Sequence, residues 1–530
     1  MSVGYGSRGV PAVMPSLSVA EAMGRSGFHP GEPEVIVRET HSAWVFLAGE
    51  HAYKVKKPVR MAFLDFSTLE RRRAVCHEEV RVNRALASAL EMRVRAVVVR
   101  AGAYVLADGA DDDEAVEYAI EMRRFDEEQT MAALVRRGAL ADGDVGAVAC
   151  RLAEFHAGAE TLTPSDPVGD VKHACDDNAR ELLALADGAT ARTILAAERF
   201  TGAFLARHRD ELVRRAAAGC VRDGHGDLRA EHVVLSDPPA IVDRLEFDDR
   251  LRAIDVADDI AFLAMDLESL GAGEAARRLV AAYRDAGGDP GSDALVAFFG
   301  TYRALVRAKV DLLRAAQLDD PDAAAAARAD AGGLLRLAER LAWRARGPLV
   351  IAVGGPPASG KSTLAAELGR RSGWPVLSSD AVRKDRRGLD LTASAPDEDY
   401  AAEARAAVYR ELGERAAAAL AAAGGVIVDA TFGDPSLRGA LLDGLGERSR
   451  LRALECVVPA GLRERWARER DARTARGSDA SPAVAARLAA RHSGWDELPE
   501  AWLLTVRPGA GTGWIVDQVA DWLDTRPSGA

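Results

Sequence analysis

The run Gly355-Pro356-Pro357-Ala358-Ser359-Gly360-Lys361-Ser362-Thr363 has types and spacing suited to holding phosphate. Its two glycines bracket four residues and precede a lysine and a hydroxyl side chain, the pattern G-x-x-x-x-G-K-S. Glycines let backbone N–H groups converge on phosphate oxygens, and a following helix adds the positive end of its dipole. Lys361 then reaches the terminal phosphates and the Ser362 hydroxyl ligates Mg²⁺. The expected ligand is a nucleoside triphosphate, with ATP and Mg²⁺ the expected cofactors. Lysine is otherwise scarce: of 69 basic residues only seven are Lys, at 54, 56, 57, 172, 309, 361 and 384. In an arginine-rich chain a lysine marks places where a compact ammonium is wanted, and Lys54 joins Lys361 as a candidate.

The elements around the loop position it. The apolar Leu349–Val353 run predicts a strand ahead of it, and an Ala/Leu-rich pattern predicts a helix behind it. Further on, Trp374–Gly388 predicts a short strand ending in Asp380, with Arg383 one turn later. A helix over about Asp399–Ala423, a strand Gly425–Asp429, a helix near Ser436–Gly446, a strand from Leu451 and a helix Gly461–Arg476 follow. Alternation of this kind predicts a doubly wound parallel sheet, with Asp429 at a strand end suited to a metal site. On the last helix Arg463, Arg470 and Arg473 recur at helical spacing, and Arg470 or Arg473 is a candidate phosphate-contacting lid residue. Glu464 and Glu469 among them leave a solvated, salt-bridged face as the competing reading.

The first half reads differently. Glu34–Arg38, then Ser42–Gly49 and His51–Val59 about a tight turn, predict a strand and a hairpin. A long helix over about Leu69–Leu90 carries Glu78 and Glu79. Strands near Val94–Val99, Tyr104–Ala107 and Glu117–Phe125 precede a mostly helical remainder, and Ala304–Arg346 is a helical stretch of which the last part is expected to connect the halves.

With 530 residues, 48% of them hydrophobic and 28% charged, the chain has the composition of a globular protein with two or more domains. A net charge of −12 argues against wholesale coating of nucleic acid. Five cysteines without C-x-x-C spacing favour reduced thiols over a disulfide framework or zinc site. No apolar run spans a bilayer and no signal peptide is evident, so a cytoplasmic location without membrane association is expected. Residues 1–30 are expected to be a loose N-terminus, 31–345 a first domain (small lobe about 31–122, large lobe about 123–345), and 347–530 a second.

The first-half order resembles the small lobe of protein-kinase-like proteins, in which a strand lysine pairs with a helix glutamate. That resemblance implies Lys54 with Glu79 ahead of Glu78, although no G-x-G-x-x-G lies on the first strands. Residues 224–232, Gly-His-Gly-Asp-Leu-Arg-Ala-Glu-His, then resemble the H-G-D-x-x-x-x-N catalytic loop of aminoglycoside phosphotransferases and their relatives. The resemblance covers roughly Pro33 to Trp343. It implies Asp227 as the group that orients or deprotonates an attacking hydroxyl, and a metal ligand at the asparagine position. Here that position is His232, a departure, since imidazole suits hard Mg²⁺ less well than an amide oxygen. For the second metal ligand it leaves Asp243 and Glu246, and it gives Asp259 the task of buttressing the loop.

The second half, with S-S-D-x-x-R-K and V-I-V-D-A-T after the loop, resembles small-molecule P-loop kinases and the kinase part of polynucleotide kinases. By that resemblance Asp380 takes the acceptor hydroxyl's proton and Arg383 grips the acceptor. The fold class expected is therefore an N-terminal protein-kinase-like α+β domain followed by a C-terminal α/β P-loop domain. Three functions compete: two phosphotransferase sites using ATP on hydroxyl acceptors; one active kinase joined to a nucleotide-binding regulatory module; and a scaffold that binds nucleotide without turnover. The retained Asp227 and Asp380 argue against the last. Acceptors compatible with the sequence are aminoglycosides, amino sugars, other small alcohols and, for the second half, a nucleic-acid end; oligomeric state is not encoded in any motif.

Overall fold

A computed structural model of the chain describes residues 17–25, 27–29, 34–40, 42–61, 64–107, 113–390, 401–471, 492–509 and 511–525. It resolves into two compact units. One comprises residues 1–164 and 215–290, the other 165–214 and 291–530.

The first unit opens on an antiparallel six-stranded sheet. Its order is Val35–Glu39, Ala43–Ala48, His51–Lys56, Glu117–Arg123, Arg93–Arg100 and Ala103–Leu106. Ahead of it, part of the segment expected to be loose is ordered: Ser18 caps a short helix, Val19–Met23, and Met23 is fully buried. One helix, Leu69–Asn83, lies against the sheet, started by the Thr68 hydroxyl accepting from the Arg71 N–H at 3.3 Å. It buries Arg72, Val75, Cys76, Glu79, Val80 and Asn83, a stripe at steps of three and four residues. That stripe selects Glu79 and leaves Glu78 on the open side. The predicted helix to Leu90 stops at Asn83, and a separate short turn, Ser88–Leu90, follows. The helical part of the unit, including Asp142–Gly158, Val256–Ser269 and Gly273–Asp285, encloses a core of Leu152, Ile260, Leu263, Leu267 and Leu279.

The second unit is a five-stranded, wholly parallel sheet ordered Val376–Ser378, Gly425–Asp429, Leu349–Gly354, Leu451–Cys456 and Leu503–Val506. Fully buried Val350, Ile351, Ala352 and Val353 on the central strand explain its continuous apolar run, as expected for a strand covered on both faces. The fold class is thus as the sequence suggested, α+β first and doubly wound α/β second.

The division between units differs from the expected boundary at 346. Helices Pro167–Leu185, Gly188–Arg207, Asp293–Gln317 and Pro321–Arg346, assigned from sequence to the first domain's large lobe, belong to the second unit. The reason is burial: Trp343, 1% exposed, shares a core with Ile351, Leu364 and Trp374. Polar contacts reinforce it, with Arg346 against Asp524 at 2.7 Å and Arg199 against Asp521 at 3.0 Å. Among the described residues no helix is long and apolar enough to cross a membrane, and all five cysteines are free thiols.

Candidate phosphate-handling sites

Alternation along His51–Lys56 puts Lys54 and Lys56 on the same face of the sheet, toward the buried stripe of Leu69–Asn83. Lys54 Nζ lies 2.8 Å from Glu79 Oε1 and 2.9 Å from Asp243 Oδ1. Lys56 Nζ lies 2.5 Å from Glu79 Oε2 and 2.6 Å from Glu246 Oε1. Burial alone would raise the Glu79 carboxyl, but the two ammonium groups outweigh it and hold it below its ordinary value. Glu246 is pushed the other way, by burial and by Glu79, with Lys56 opposing. Glu78, the alternative partner, pairs instead with Arg81 on the open side of the helix.

Asp243 follows the short hairpin of Val233–Val234 and Ala240–Ile241. Its backbone is left-handed, φ 59°, an uncommon state for a residue with a Cβ and a pointer to function. Lys54 beside it holds its carboxyl below the usual range, although half of the side chain is open to screening water. Asp243 and Glu246 are thus held by different lysines: Glu246 is tied to Lys56, while Asp243 Oδ2 lies 3.9 Å from His232 Nε2.

The loop carrying Asp227 is fixed from beneath. Asp259, fully buried, accepts the backbone N–H groups of His225 at 2.6 Å and Gly226 at 2.9 Å and meets His156 Nε2 at 3.2 Å. Burial works against its charge, yet the hydrogen bond from His156 and the neighbouring histidines keep it well below the carboxylate range. His225 donates Nε2–H to the Val242 carbonyl at 3.0 Å, and burial pushes its imidazole down to about 4. Above the loop, Arg229 Nε donates to Asp227 Oδ2 at 3.2 Å and Nη2 to His232 Nε2 at 2.9 Å. A guanidinium has no acceptor, so His232 Nε2 accepts and Nδ1–H donates to the Asp227 carbonyl at 2.9 Å.

Lys56, Arg229 and His156 were not singled out from sequence. The scarcity of lysine was signal enough for Lys56, and Arg229 stands two residues after Asp227; nothing local marks His156, 103 residues from Asp259.

In the second unit the loop residues Gly355–Gly360 link the central strand to the helix Lys361–Ser372. Gly360 is left-handed (φ 83°), and a Cβ there would meet Pro508 at 3.0 Å. Ala358 shares that conformation at φ 60°. The Ser359 side chain is fully buried with its hydroxyl unpartnered, Lys361 is half-buried, and Ser362 and Thr363 are exposed at the helix start. Pro356 and Pro357 have no N–H to offer a phosphate, so donors must come from the rest of the loop. Parallel register sets Ser378 beside Asp429 and Asp429 beside Val353, which gathers the loop, Asp429 and Asp380 at the carboxyl ends of the strands. Asp380 lies in the first turn of a helix, Ser379–Arg386, rather than ending the strand, and Arg383 Nη1 donates to it at 2.6 Å.

The chemistry of the donors decides where Mg²⁺ fits. Asp429 is 8% exposed, one oxygen hydrogen-bonds Ser362, and Oδ1 has no hydrogen-bond partner. Burial raises its carboxyl and Lys361 opposes. An orphaned carboxylate oxygen beside the loop hydroxyl fits a hard cation. The first site fits less well: its half-exposed carboxylates, Asp243 and Glu231, are paired with Lys54 and Arg229, and His232 has both ring nitrogens engaged. Among the described residues no group of three or more His, Cys, Asp and Glu could hold a metal ion. Of the lid candidates, Arg470 lies on the helix Ala460–Asp471, and Arg473, like the rest of the predicted helix to Arg476, lies outside the described residues.

A family profile described as an AAA domain matches residues 350–494. The chain is 35% identical over 480 residues to the uncharacterized protein Rv2004c of Mycobacterium tuberculosis, which covers 88% of this chain and 92% of that one. Among solved structures it is similar to a choline/ethanolamine kinase family protein from Mesorhizobium loti, with 14% identity, 60% of this chain and 94% of that one covered, and TM-score 0.37. It is also similar to a sugar kinase from Janibacter sp. HTCC2649, with 19% identity, 34% and 96% covered, and TM-score 0.26.

Proposed function

This chain belongs to the family of the mycobacterial protein Rv2004c, and from its two sites we propose that it is a bifunctional ATP-dependent phosphotransferase, each unit passing the γ-phosphoryl group to a hydroxyl acceptor. One observation carries the reading: each unit holds, on its own segments, a lysine suited to phosphate and an aspartate suited to the acceptor. In the first they are Lys54, steadied by Glu79, and Asp227 on a loop steadied by Asp259. In the second they are Lys361 and Asp380, with Arg383 beside the acceptor position.

In the second unit Ser362 and Asp429 would hold Mg²⁺, which neutralises charge on the β- and γ-phosphates when bound. The chain's own groups do the rest. The loop N–H groups and the helix start cradle the phosphates, Lys361 attracts the terminal one, and Asp380 orients the acceptor hydroxyl and takes its proton. In the first unit Asp227 does the same for its acceptor. The acceptor class that suits both is a small hydroxyl compound such as an aminoglycoside or amino sugar; for the second unit a nucleic-acid end is the other candidate.

The test is an acceptor screen read as ADP release, run on wild type, Asp227→Asn and Lys361→Ala. Each substitution is expected to abolish one acceptor-dependent activity, by about 10²-fold or more, and to spare the other. If Lys361→Ala lost all turnover while Asp227→Asn lost none, the first unit is no enzyme. The Arg229–Asp227 contact favours that second reading, a nucleotide-binding regulatory module joined to one active kinase, because a guanidinium on the base competes for the proton site.

A further inference from the structure

The positive charge at the first site comes from the chain. Arg229 Nη2, His232 Nε2, Asp243 and Lys54 Nζ form a continuous line of contacts of 2.9, 3.9 and 2.9 Å. Arg229 is held from three sides, by Asp227, by Glu231 and by His232, and its side chain is 15% exposed. The His232 lone pair that could meet a cation is occupied by the guanidinium. Asp227 Oδ2 is occupied by the same group, and Asp243 Oδ1 by Lys54. A divalent ion entering here would have to displace Arg229 from Asp227 and His232 and would find carboxylates already paired, Glu231 with Arg229 and Asp243 with Lys54, whereas Mg²⁺ demands near-octahedral oxygen ligation. A nucleotide phosphate would meet the guanidinium itself, exchanging for the half-exposed Glu231 carboxylate rather than driving the arginine out of the site. Arginine presents a planar fork that matches phosphate oxygens, and it remains charged at every physiological pH.

We propose that the first unit binds the polyphosphate of its nucleotide without a divalent cation, with Arg229, oriented by His232, as the fixed cation in the metal's place. This rests on the reading of that unit as a nucleotide site. His232 is then a positioning residue: its Nε2 accepts from Nη2 and its Nδ1–H is anchored on the Asp227 carbonyl, so the imidazole spans the loop and sets the plane of the guanidinium. The substitution of histidine for an amide oxygen removes a metal ligand and installs a hydrogen-bond acceptor for an arginine. The second unit differs in kind, since Asp429 Oδ1 has no hydrogen-bond partner among the described residues.

The experiment uses the full chain carrying Lys361→Ala, which removes phosphate binding at the second site, and N-methylanthraniloyl-ADP as the fluorescent probe, with excess MgCl₂ or with EDTA. The dissociation constants in the two conditions are expected to agree within about threefold, because no bound cation is lost. In EDTA, Arg229→Met is expected to weaken binding by about tenfold or more, the loss of charge-assisted hydrogen bonds to phosphate. His232→Asn, which returns an amide oxygen and releases Nη2, is expected to make binding tighten about fivefold or more when MgCl₂ is added. Weakening by EDTA beyond that threefold margin in the parent protein overturns the proposal, as does binding in Arg229→Met equal to the parent's. Should Arg229→Met fail to fold, the His232→Asn protein decides: magnesium dependence gained supports the proposal and none gained overturns it. No binding in either condition overturns the nucleotide reading itself, and is told apart from the other failure by the absence of any magnesium-restored signal.

Discussion

Two lysines, Lys54 and Lys56, share one glutamate, and they differ in what lies on their other side. Lys54 reaches toward the half-open Asp243, while Lys56 is 2% exposed and closed in by Glu246. Lys56 therefore belongs to the scaffold of the site rather than to its ligand face. Breaking a buried pair leaves an uncompensated charge, so Lys56→Met is expected to destabilise the first unit by about 3–5 kcal/mol in urea unfolding. An exposed lysine would cost nothing measurable, and that result would remove Lys56 from the network. His225 gives a second prediction. Its imidazole is pushed down to about 4 by burial, below the ordinary 6.5 that it regains when unfolded. The unfolded chain thus binds the extra proton, and the contribution is fully present above about pH 6.5 and lost as pH falls toward 4. The loss is on the order of 3 kcal/mol, and His225→Asn should flatten that slope in unfolding measured across the window. The pairing of Lys54 with Glu79 was implied by the kinase-like order of the first half, and burial on the helix is what separates Glu79 from Glu78 in the structure. The partner of Glu246 was not legible, because sequence distance from a hairpin carries no information on which lysine a carboxylate will meet.

Elements whose periodicity is local were legible, among them the hairpin at Gly49–Glu50, the loop-flanking strand and helix, and the strand ending in Asp429. What escaped depends on close approach between elements. The helices Ala402–Ala423 and Pro435–Leu445 cross where Gly413 faces the Leu441 carbonyl and Gly444 faces that of Arg410. Each of these glycines leaves room for a neighbour's backbone. Because backbone cannot swing aside as a side chain can, Gly413→Ala and Gly444→Ala are each expected to destabilise the second unit by about 1–3 kcal/mol in thermal unfolding. Gly439→Ala on the same helix, where a Cβ meets nothing within 4 Å, should be neutral or slightly stabilising.

For the whole molecule, the unit boundaries were the least legible feature. The helices of 165–214 and 291–346 are amphipathic like any others, and nothing in their spacing says which core they complete. The partner of Arg199 is Asp521, 322 residues away. A fragment beginning at Gly347 would retain the complete parallel sheet but leave Ile351, Leu364 and Trp374 without Trp343. It is expected to bind a hydrophobic dye and aggregate, whereas one beginning at Gly291 should stay more soluble; equal behaviour by light scattering would place the folding boundary at 346 after all. The chain passes from one unit to the other three times, after Pro164, Arg214 and Pro290. On the ribosome this becomes a matter of timing. The first unit cannot close until residue 290 has emerged, and the stretch 165–214 leaves the exit tunnel well before its own partners are made. At about 5–20 residues per second that stretch waits for seconds with its apolar faces uncovered, so a chaperone that holds helices during synthesis would matter more to this protein than to one whose two units follow one another along the chain.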